Sequence, residues 1–513
     1  MPLAVGNRLA APLPLGGARL GAWLLTALLA LLALHAAGVC RDFIFSIRYP
    51  FALDYGEGIV WQQAALIPGP RAYAGSWKLP FVVFHYPPLY HLVVRAAAAF
   101  MPDMLSAGRL VSAVSTALLV PLVANLVLAA SPPREGQPRI ARFAIAAAAG
   151  LLAPCLHAVH AWGSLMRVDM LAVAFGLSAL LVAVRTDGRF RGATCALLLA
   201  VAAVYCKQTQ LAPGATIFLV TLLRRPRAAL GAGAIAGLAG LAGVGVLQAL
   251  TAGGFLRNII GGNLNRLSPA HAYWVFMSEL GSLPFVLFMA RAAVAIASPL
   301  RRAAVSGWRP MALRLADPAS AARAMLLIDF ILSTLMLFTV FKSGAEISYL
   351  IDWLCIGSVL VGVAACDLFS APRAFAFATG CMILSVLSLP LRRMPDQAPR
   401  ATLEAEAKLV REIAAADMPV ASDDMTLLMR AGKPVIFEPG IVTELADVGR
   451  WDEAPLVAMI RARRFAFMLT IDDRRGDSSL RSPGVDAAMR AGYPRTERIG
   501  ALDLWRHLPP PAA

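Results

Sequence analysis

Apolar runs of about 20 residues recur along most of this chain, and each is long enough to cross a hydrocarbon core of roughly 30 Å as an α-helix. The first extends from about Gly21 to Val39, and short arginine-bearing segments part the later ones. A water-soluble fold cannot bury so many such runs, and 58% of the 513 residues are hydrophobic while only 15% are charged. The fold class is therefore an α-helical polytopic membrane protein. A formal charge of +16 would favour nucleic-acid binding in a soluble domain, but here the arginines cluster between apolar runs, where they orient spans. Membrane lipids, and no nucleic acid, are the implied surroundings. Seven cysteines spread over the whole length imply neither a disulfide framework nor a zinc cluster.

The clusters Arg134/Arg139/Arg142, Arg185/Arg189/Arg191, Arg224/Arg225/Arg227 and Arg301/Arg302/Arg309/Arg314, with Arg373, mark the cytoplasmic side by the positive-inside rule. They alternate with polar turns at Trp162 to Asp169, Cys206 to Thr209, Asn258 to Trp274 and Lys342 to Glu346, which then face outward. Spans are predicted near 21–40, 105–130, 143–161, 170–184, 192–206, 209–223, 228–250, 276–299, 324–341, 347–366 and 374–391, about eleven in all. Arg8 and Arg19 before the first run predict an uncleaved anchor with a cytoplasmic N-terminus. The odd count then exports everything after residue 391. The first outer loop covers 41–104, and its Pro-rich part, Phe81 to Phe100, reads as a juxtamembrane or re-entrant helix starting after Pro87-Pro88. From Arg392 the texture changes to short strand-like runs (Pro419 to Asp423, Pro434 to Phe437, Phe465 to Thr470) separated by helical spacing over Met425 to Ala431 and Ala454 to Arg464. A transmembrane domain, 1–391, is thus followed by a small extracytoplasmic α/β domain, 392–513.

The outer face gathers the polar residues. Asp54 and Glu57 stand three apart in the first outer loop, with glycines at 56 and 58. A carboxylate at the lipid boundary has its pKa raised by partial desolvation, which suits a general base for a hydroxyl proton; the plainer reading of the pair is a solvated loop with a helix cap. His85, Tyr86, Arg109, Arg167 with Asp169, Lys207, Gln208, Asn263, Asn265, His271 and Lys342 with Glu346 fall on the same face. Ionisable groups at apolar boundaries are usually paired or functional, and arginine or lysine neutralises a phosphate leaving group. Against that stand snorkelling cations, an Arg167–Asp169 pair, and an i,i+4 helix pair of Lys342 with Glu346. His157 and His160, three apart, lack a third metal ligand at a diagnostic distance. Asp329 and Glu279, inside spans, read as interhelical contacts, and Asp423-Asp424 and Asp472-Asp473 as acids at turns, where a divalent ion is the alternative. No Walker A loop, no strand-linked G-x-G-x-x-G and no G-x-S-x-G is present, so ATP-driven transport and serine hydrolysis lack support.

An outward-facing transferase cannot draw on nucleotide sugars made in the cytoplasm; a sugar already carried on a polyprenyl phosphate fits both the location and the cations. At this point the chain resembles the GT-C membrane glycosyltransferases, which include the protein O-mannosyltransferases, bacterial family-39-like members and the aminoarabinose transferase of lipid A. The resemblance rests on ordered features: Asp54 and Glu57 after the first span, Tyr86-Pro-Pro-Leu-Tyr90, Gly108-Arg109-Leu110, Arg167-x-Asp169, Lys207-Gln-Thr209, and Lys342-Ser-Gly344 to Ser348-Tyr349. It implies inverting transfer from a polyprenyl-phosphate sugar to a hydroxyl of a glycan, lipid or protein; separately, the Ala/Arg-rich usage suggests a high-GC bacterium and hence its inner membrane, with the site on the outer face. By position the resemblance makes Asp54 the base with Glu57 as the alternative, and Asp169 the second-loop acid that helps hold sugar, acceptor or metal. His85, Arg109, Arg167, Lys207 and Lys342 become candidates for the donor phosphate, with Tyr86, Gln208, Asn263 and His271 beside them. Many relatives place two acids side by side, whereas here Tyr55 and Gly56 intervene. Cofactor need is open: either no cofactor or a divalent metal is compatible. A carrier or flippase for a lipid-linked saccharide is the competing class, but such proteins often show paired repeats, which are not evident here.

Overall fold

The computed structural model describes residues 15–74, 78–279, 282–471 and 480–507; Arg8 and Asp472-Asp473 lie outside these. The described residues open with α1 (Leu15–Arg48), whose 34 residues reach about 50 Å at 1.5 Å per residue, well beyond the hydrocarbon thickness. Two short helices of the first loop follow, α2 (Tyr55–Leu66) and α3 (Leu89–Ala98). Next come α4 (Met104–Ala130), α5 (Arg139–Cys155), α6 (His157–Trp162), α7 (Asp169–Arg185), α8 (Phe190–Cys206), α9 (Ala212–Arg224) and α10 (Pro226–Leu250). After α11 (Gly254–Ile259) and α12 (Pro269–Ser278), the bundle is completed by α13 (Leu283–Val305), α14 (Trp308–Ala316), α15 (Pro318–Met336), α16 (Ile351–Leu368) and α17 (Pro372–Leu387).

Among the described residues six helices are long and apolar enough to cross a membrane: Gly16–Arg48, Met104–Ala130, Pro226–Leu250, Leu283–Val305, Pro318–Phe341 and Ile347–Leu368. The other predicted spans fall on shorter helices. The stretch expected at 143–161 is broken at Leu156 (ψ 141°), two residues after Pro154, and the one expected at 276–299 begins only at Leu283. Glu279 consequently caps α12 rather than lying inside a span, and bonds His157 at 2.5 Å. Asp329 is within α15, accepting from Thr216 at 3.3 Å. The helix after Pro87-Pro88, at 10 residues, is too short to span, as a juxtamembrane reading requires.

One large apolar core, built from Leu119, Val123, Leu126, Ile145, Leu152, Leu177, Leu354, Val359 and others, joins α1, α4, α5, α7 and α16. Small residues let these helices approach: a Cβ on Gly362 of α16 would run into Val127 and Ala149. The two ends of α4 define two polar layers. At one end Arg109 is buried among the first-loop carbonyls; at the other the Ala130 carbonyl accepts from Arg323, which forks onto Asp367 at 2.7 and 2.8 Å, and Arg134 reaches the same carboxylate at 2.6 Å. Twenty-one residues separate Arg109 from Ala130, about 32 Å of helix, so the bundle interior between the two layers matches a hydrocarbon thickness. Asp187 gathers Arg224 and Arg225 at 2.6 and 2.5 Å; these charges are paired rather than free.

Downstream, α18 (Arg400–Ala415), β1 (Ala421–Ser422), α19 (Met425–Arg430), α20 (Pro439–Asp447), α21 (Ala454–Arg461), β2 (Phe467–Ile471), α22 (Pro483–Gly492), β3 (Arg495–Ile499) and β4 (Leu502–Arg506) build a four-stranded sheet of order β1-β2-β4-β3 with helices against it. β1 runs parallel to β2, and the other pairs are antiparallel. The predicted run Pro434 to Phe437 forms only a bridge, and its partner is Phe81 of the first loop. Phe81 also stacks on Trp451 at 5.5 Å and lies with Val83 in one core with Phe437, Leu445 and Phe465. The first loop and the C-terminal segment therefore bury their apolar side chains together, about 25 cal/mol for each Å² removed from water.

Candidate active site

A cavity of about 520 Å³ lies where the first loop, the turns after α11 and before α16, and α20 meet. Asp54, His85, Tyr86, Arg167, Asn263, His271 and Lys342 line it, so residues nearly 290 positions apart converge as the sequence order implied. Asp54 is the N-cap of α2, in extended backbone (φ −148°, ψ 141°), and its Oδ1 accepts from Gly56 N at 3.0 Å and from Arg167 Nη1 at 2.9 Å. Oδ2 has no protein partner among the described residues and is left for the cavity. Burial raises the pKa of this carboxyl, and the charge of nearby Glu57 adds to the effect; Arg167 opposes it. The Arg167–Asp169 pairing therefore gives way to Arg167–Asp54, and Arg167 also lies 5.8 Å over the Trp162 ring.

Lys342 is also not in a helix pair with Glu346. It follows the 3₁₀ helix Leu337–Phe341, pairs with Leu267 in an isolated antiparallel bridge and leads into a turn, and its Nζ donates to Asn263 Oδ1 at 2.7 Å. Burial pushes the Lys342 ammonium down to about 8. Asn263 and Gln208 both donate to the His85 carbonyl at 2.9 Å, so the backbone of the His85 turn is held from two sides. The His85 ring meets both oxygens of buried Glu438 at 3.2 Å. Tyr86 is pushed up to about 12 by burial, so its phenol stays protonated at neutral pH. His271 bonds the Ala345 carbonyl.

Five expected site residues stand behind the wall or away from it. Arg109, assigned to phosphate by position, is fully buried and makes five hydrogen bonds inside the protein: to Glu57 Oε1 (2.7 Å) and Oε2 (2.6 Å), and to the carbonyls of Ser46 (2.6 Å), Tyr49 (2.6 Å) and Phe51 (2.7 Å). All five guanidinium N–H groups are used, so none is left for a ligand. Glu57, the alternative base, is equally buried; burial works against its charge, yet Arg109 and two backbone N–H donors outweigh this and hold its carboxyl below the ordinary value. Asp169 and Lys207 pair at 2.5 Å, both buried, and Lys207 sits 4.2 Å from the Tyr349 ring that lines the cavity. Gln208 contributes its amide to the His85 turn and not to the cavity wall.

The sequence reading missed Arg266 and the acids of α20. Glu438, Glu444 and Asp447 line the cavity, and Glu444, raised by burial to about 8, bonds Asn265. Glu444 and Asp447 at i,i+3 share a helix face, and this spacing is the signal that was there to find. The N–H of Gly440 in α20 also donates to the Tyr55 hydroxyl at 2.9 Å, tying α20 to the residue after Asp54. Among the described residues no three His, Cys, Asp or Glu side chains gather as a metal would need. Asp423 instead bonds Arg481 and the N–H of Ile471, and Asp424 caps α19 through Thr426 at 2.8 Å. His160 bonds Asp42 at 2.9 Å.

No family model matches the chain, and no curated protein matches it. Solved structures do. ArnT from Cupriavidus metallidurans in the apo state is 15% identical and superposes with a TM-score of 0.54 over 92% of this chain and 97% of that chain. The same protein bound to undecaprenyl phosphate gives 14% identity and a TM-score of 0.55 with the same coverage. The archaeal oligosaccharyltransferase AglB from Archaeoglobus fulgidus, in complex with an inhibitory peptide and a dolichol-phosphate, is 12% identical with a TM-score of 0.49 over 88% of this chain and 69% of that one. The likeness to ArnT over nearly the whole of both chains shows that this chain has the GT-C membrane fold.

Proposed function

We propose that this protein is a glycosyltransferase that takes a sugar from a polyprenyl-phosphate donor and passes it to a hydroxyl of a glycan, lipid or protein. The observation that carries the reading is the half-bound Asp54 carboxylate, with one oxygen held by Arg167 and Gly56 and the other left to a cavity that Arg167, Lys342 and His85 also line. The ArnT structure of the same fold holds undecaprenyl phosphate, which is the donor chemistry these cations suit.

Asp54 Oδ2 takes the proton of the acceptor hydroxyl as the acceptor oxygen attacks the anomeric carbon from the face opposite the phosphate. The bond between that carbon and the phosphate oxygen breaks, its electron pair leaves with the polyprenyl phosphate, and the anomeric configuration inverts. Arg167 and Lys342 neutralise the leaving phosphate, and the His85 turn lines the cavity beside them. On this reading the cavity opens on the extracytoplasmic face of the inner membrane, the arginine-paired layer faces the cytoplasm, and residues 392–513 form the outer domain that supplies the α20 wall.

The test is transfer by purified protein in phospholipid nanodiscs, given undecaprenyl-phosphate hexoses and pentoses labelled in the sugar, with an envelope glycan and glycolipid extract as acceptor. Label should pass to a new product without any gradient, and Asp54→Asn should slow this by roughly 10²-fold or more. Label that only changes leaflet in sealed vesicles would identify a carrier instead.

A further inference from the structure

Behind the cavity wall that carries Asp54 and Arg167 lies a fully buried acid, Glu57. Glu57 Oε2 accepts from the backbone N–H of Leu53 at 2.8 Å, and Glu57 Oε1 accepts from the backbone N–H of Met166 at 2.9 Å. Leu53 immediately precedes Asp54, and Met166 immediately precedes Arg167. One carboxylate therefore grips the chain one residue before each member of the Asp54–Arg167 pair. Its own N–H also donates to the Asp54 carbonyl at 3.1 Å.

The carboxylate is in turn immobilised. Arg109 forks onto both of its oxygens, and the remaining Arg109 donors bond the carbonyls of Ser46, Tyr49 and Phe51, the stretch that leads from the end of α1 into Asp54. Neither side chain has any measurable exposure. A buried, fully bonded ion pair of this kind is poor evidence for stability, since apolar replacements often serve as well. What it offers is a fixed distance between two backbone segments that are more than 100 residues apart in sequence.

We infer that Glu57 is the positioning residue of this site, setting the geometry between Asp54 and Arg167 through the backbone that precedes each. The inference rests on the transferase reading and deepens it. Glu57 never meets substrate and moves no proton.

Two substitutions separate positioning from fold support. Glu57→Asp keeps the charge that Arg109 needs but shortens the side chain, so one carboxylate no longer reaches both N–H groups. Glu57→Gln keeps the length, but its amide presents one acceptor and one NH₂ to two backbone donors, so one grip is lost. A displacement of about 1 Å at the reacting groups costs on the order of 10²-fold in rate. Both variants should show kcat for labelled donor lowered by about that factor per folded molecule, with the Kd for undecaprenyl phosphate within about threefold of wild type. Wild-type kcat in folded Glu57→Asp, while Asp54→Asn is inactive, overturns the inference and leaves the transferase reading intact; full activity of Asp54→Asn itself would sink the reading. If neither variant folds, hydrogen exchange on the wild-type protein decides. The amides of Leu53 and Met166 should be protected together, and exchange of either at open-loop rates overturns the proposal.

Discussion

Arg167 Nη1 reaches Asp54 Oδ1 at 2.9 Å only because residue 56 has no side chain: a Cβ built on Gly56 would overlap the Arg167 guanidinium. The glycine is not required by backbone conformation, since it is the second residue of α2. Helix propensity alone would favour alanine there, by up to about 1 kcal/mol.

Gly56→Ala is therefore expected to separate stability from activity. The flexible end of Arg167 can move aside, so the melting temperature should hold or rise slightly. The rate of transfer should nevertheless fall by about 10²-fold as Arg167 is displaced from Asp54. Nanodisc turnover measured beside a thermal melt checks this, and equal activity at unchanged melting temperature would remove Arg167 from the site.

Lys342 supplies a pH dependence with a definite sign. Its ammonium, pushed down to about 8 by burial, is charged below that pH and neutral above it. A phosphate monoester has lost its second proton by then, with its pKa near 6. Affinity for undecaprenyl phosphate should therefore be highest between about pH 6 and 8 and decline as pH rises through 8. Lys342→Arg, whose guanidinium keeps its proton above pH 12, should carry the affinity to higher pH. A titration of undecaprenyl phosphate binding from pH 6 to 10 on both proteins decides it.

Six of the predicted spans were legible because an apolar run in lipid has few alternatives to a helix, and Asp54, Arg167 and Lys342 stood out because ionisable groups at apolar boundaries are rarely idle. What the sequence hid was pairing. Arg167 and Asp169 are neighbours in the chain, yet a bond between them is replaced by two long-range ones, Arg167 to Asp54 and Lys207 to Asp169. Spacing shows which residues share a face, not which of several opposite charges a side chain meets after packing. Glu57 and Asp54 looked interchangeable for the same reason: only burial, complete for Glu57 and partial for Asp54, distinguishes the acid behind the wall from the one that lines the cavity. Glu438 was missed because it follows a strand-like run that the fold carries back to Phe81.

Glu438 meets the His85 ring directly in the cavity wall, with 3.2 Å from the ring to each carboxylate oxygen. Glu438→Gln retains the hydrogen bond but drops the charge. A hydrogen bond to a charged group is worth about 1.5–3 kcal/mol, so the loss of its charged part should cost roughly tenfold in kcat/KM. His85→Gln should cost as much, and the double variant little more than either, because the two act as one unit. Additive losses would show that Glu438 and His85 act separately.

Asp169 and Lys207 call for the opposite expectation, since the structure places both behind the cavity wall with their charges on each other at 2.5 Å. Lys207→Met leaves the Asp169 carboxylate buried without a partner, and Asp169→Asn does the same to the ammonium over Tyr349. Each single change should destabilise by about 3–5 kcal/mol. The double change to Met and Leu removes both charges and should recover most of that loss, since apolar residues of similar volume often replace a buried pair at no cost. Donor phosphate bound by Lys207 would give a different signature: undecaprenyl phosphate affinity in the stable double variant would collapse. If it stays near wild type, Lys207 acts on the site through the Tyr349 ring it supports and not through the phosphate.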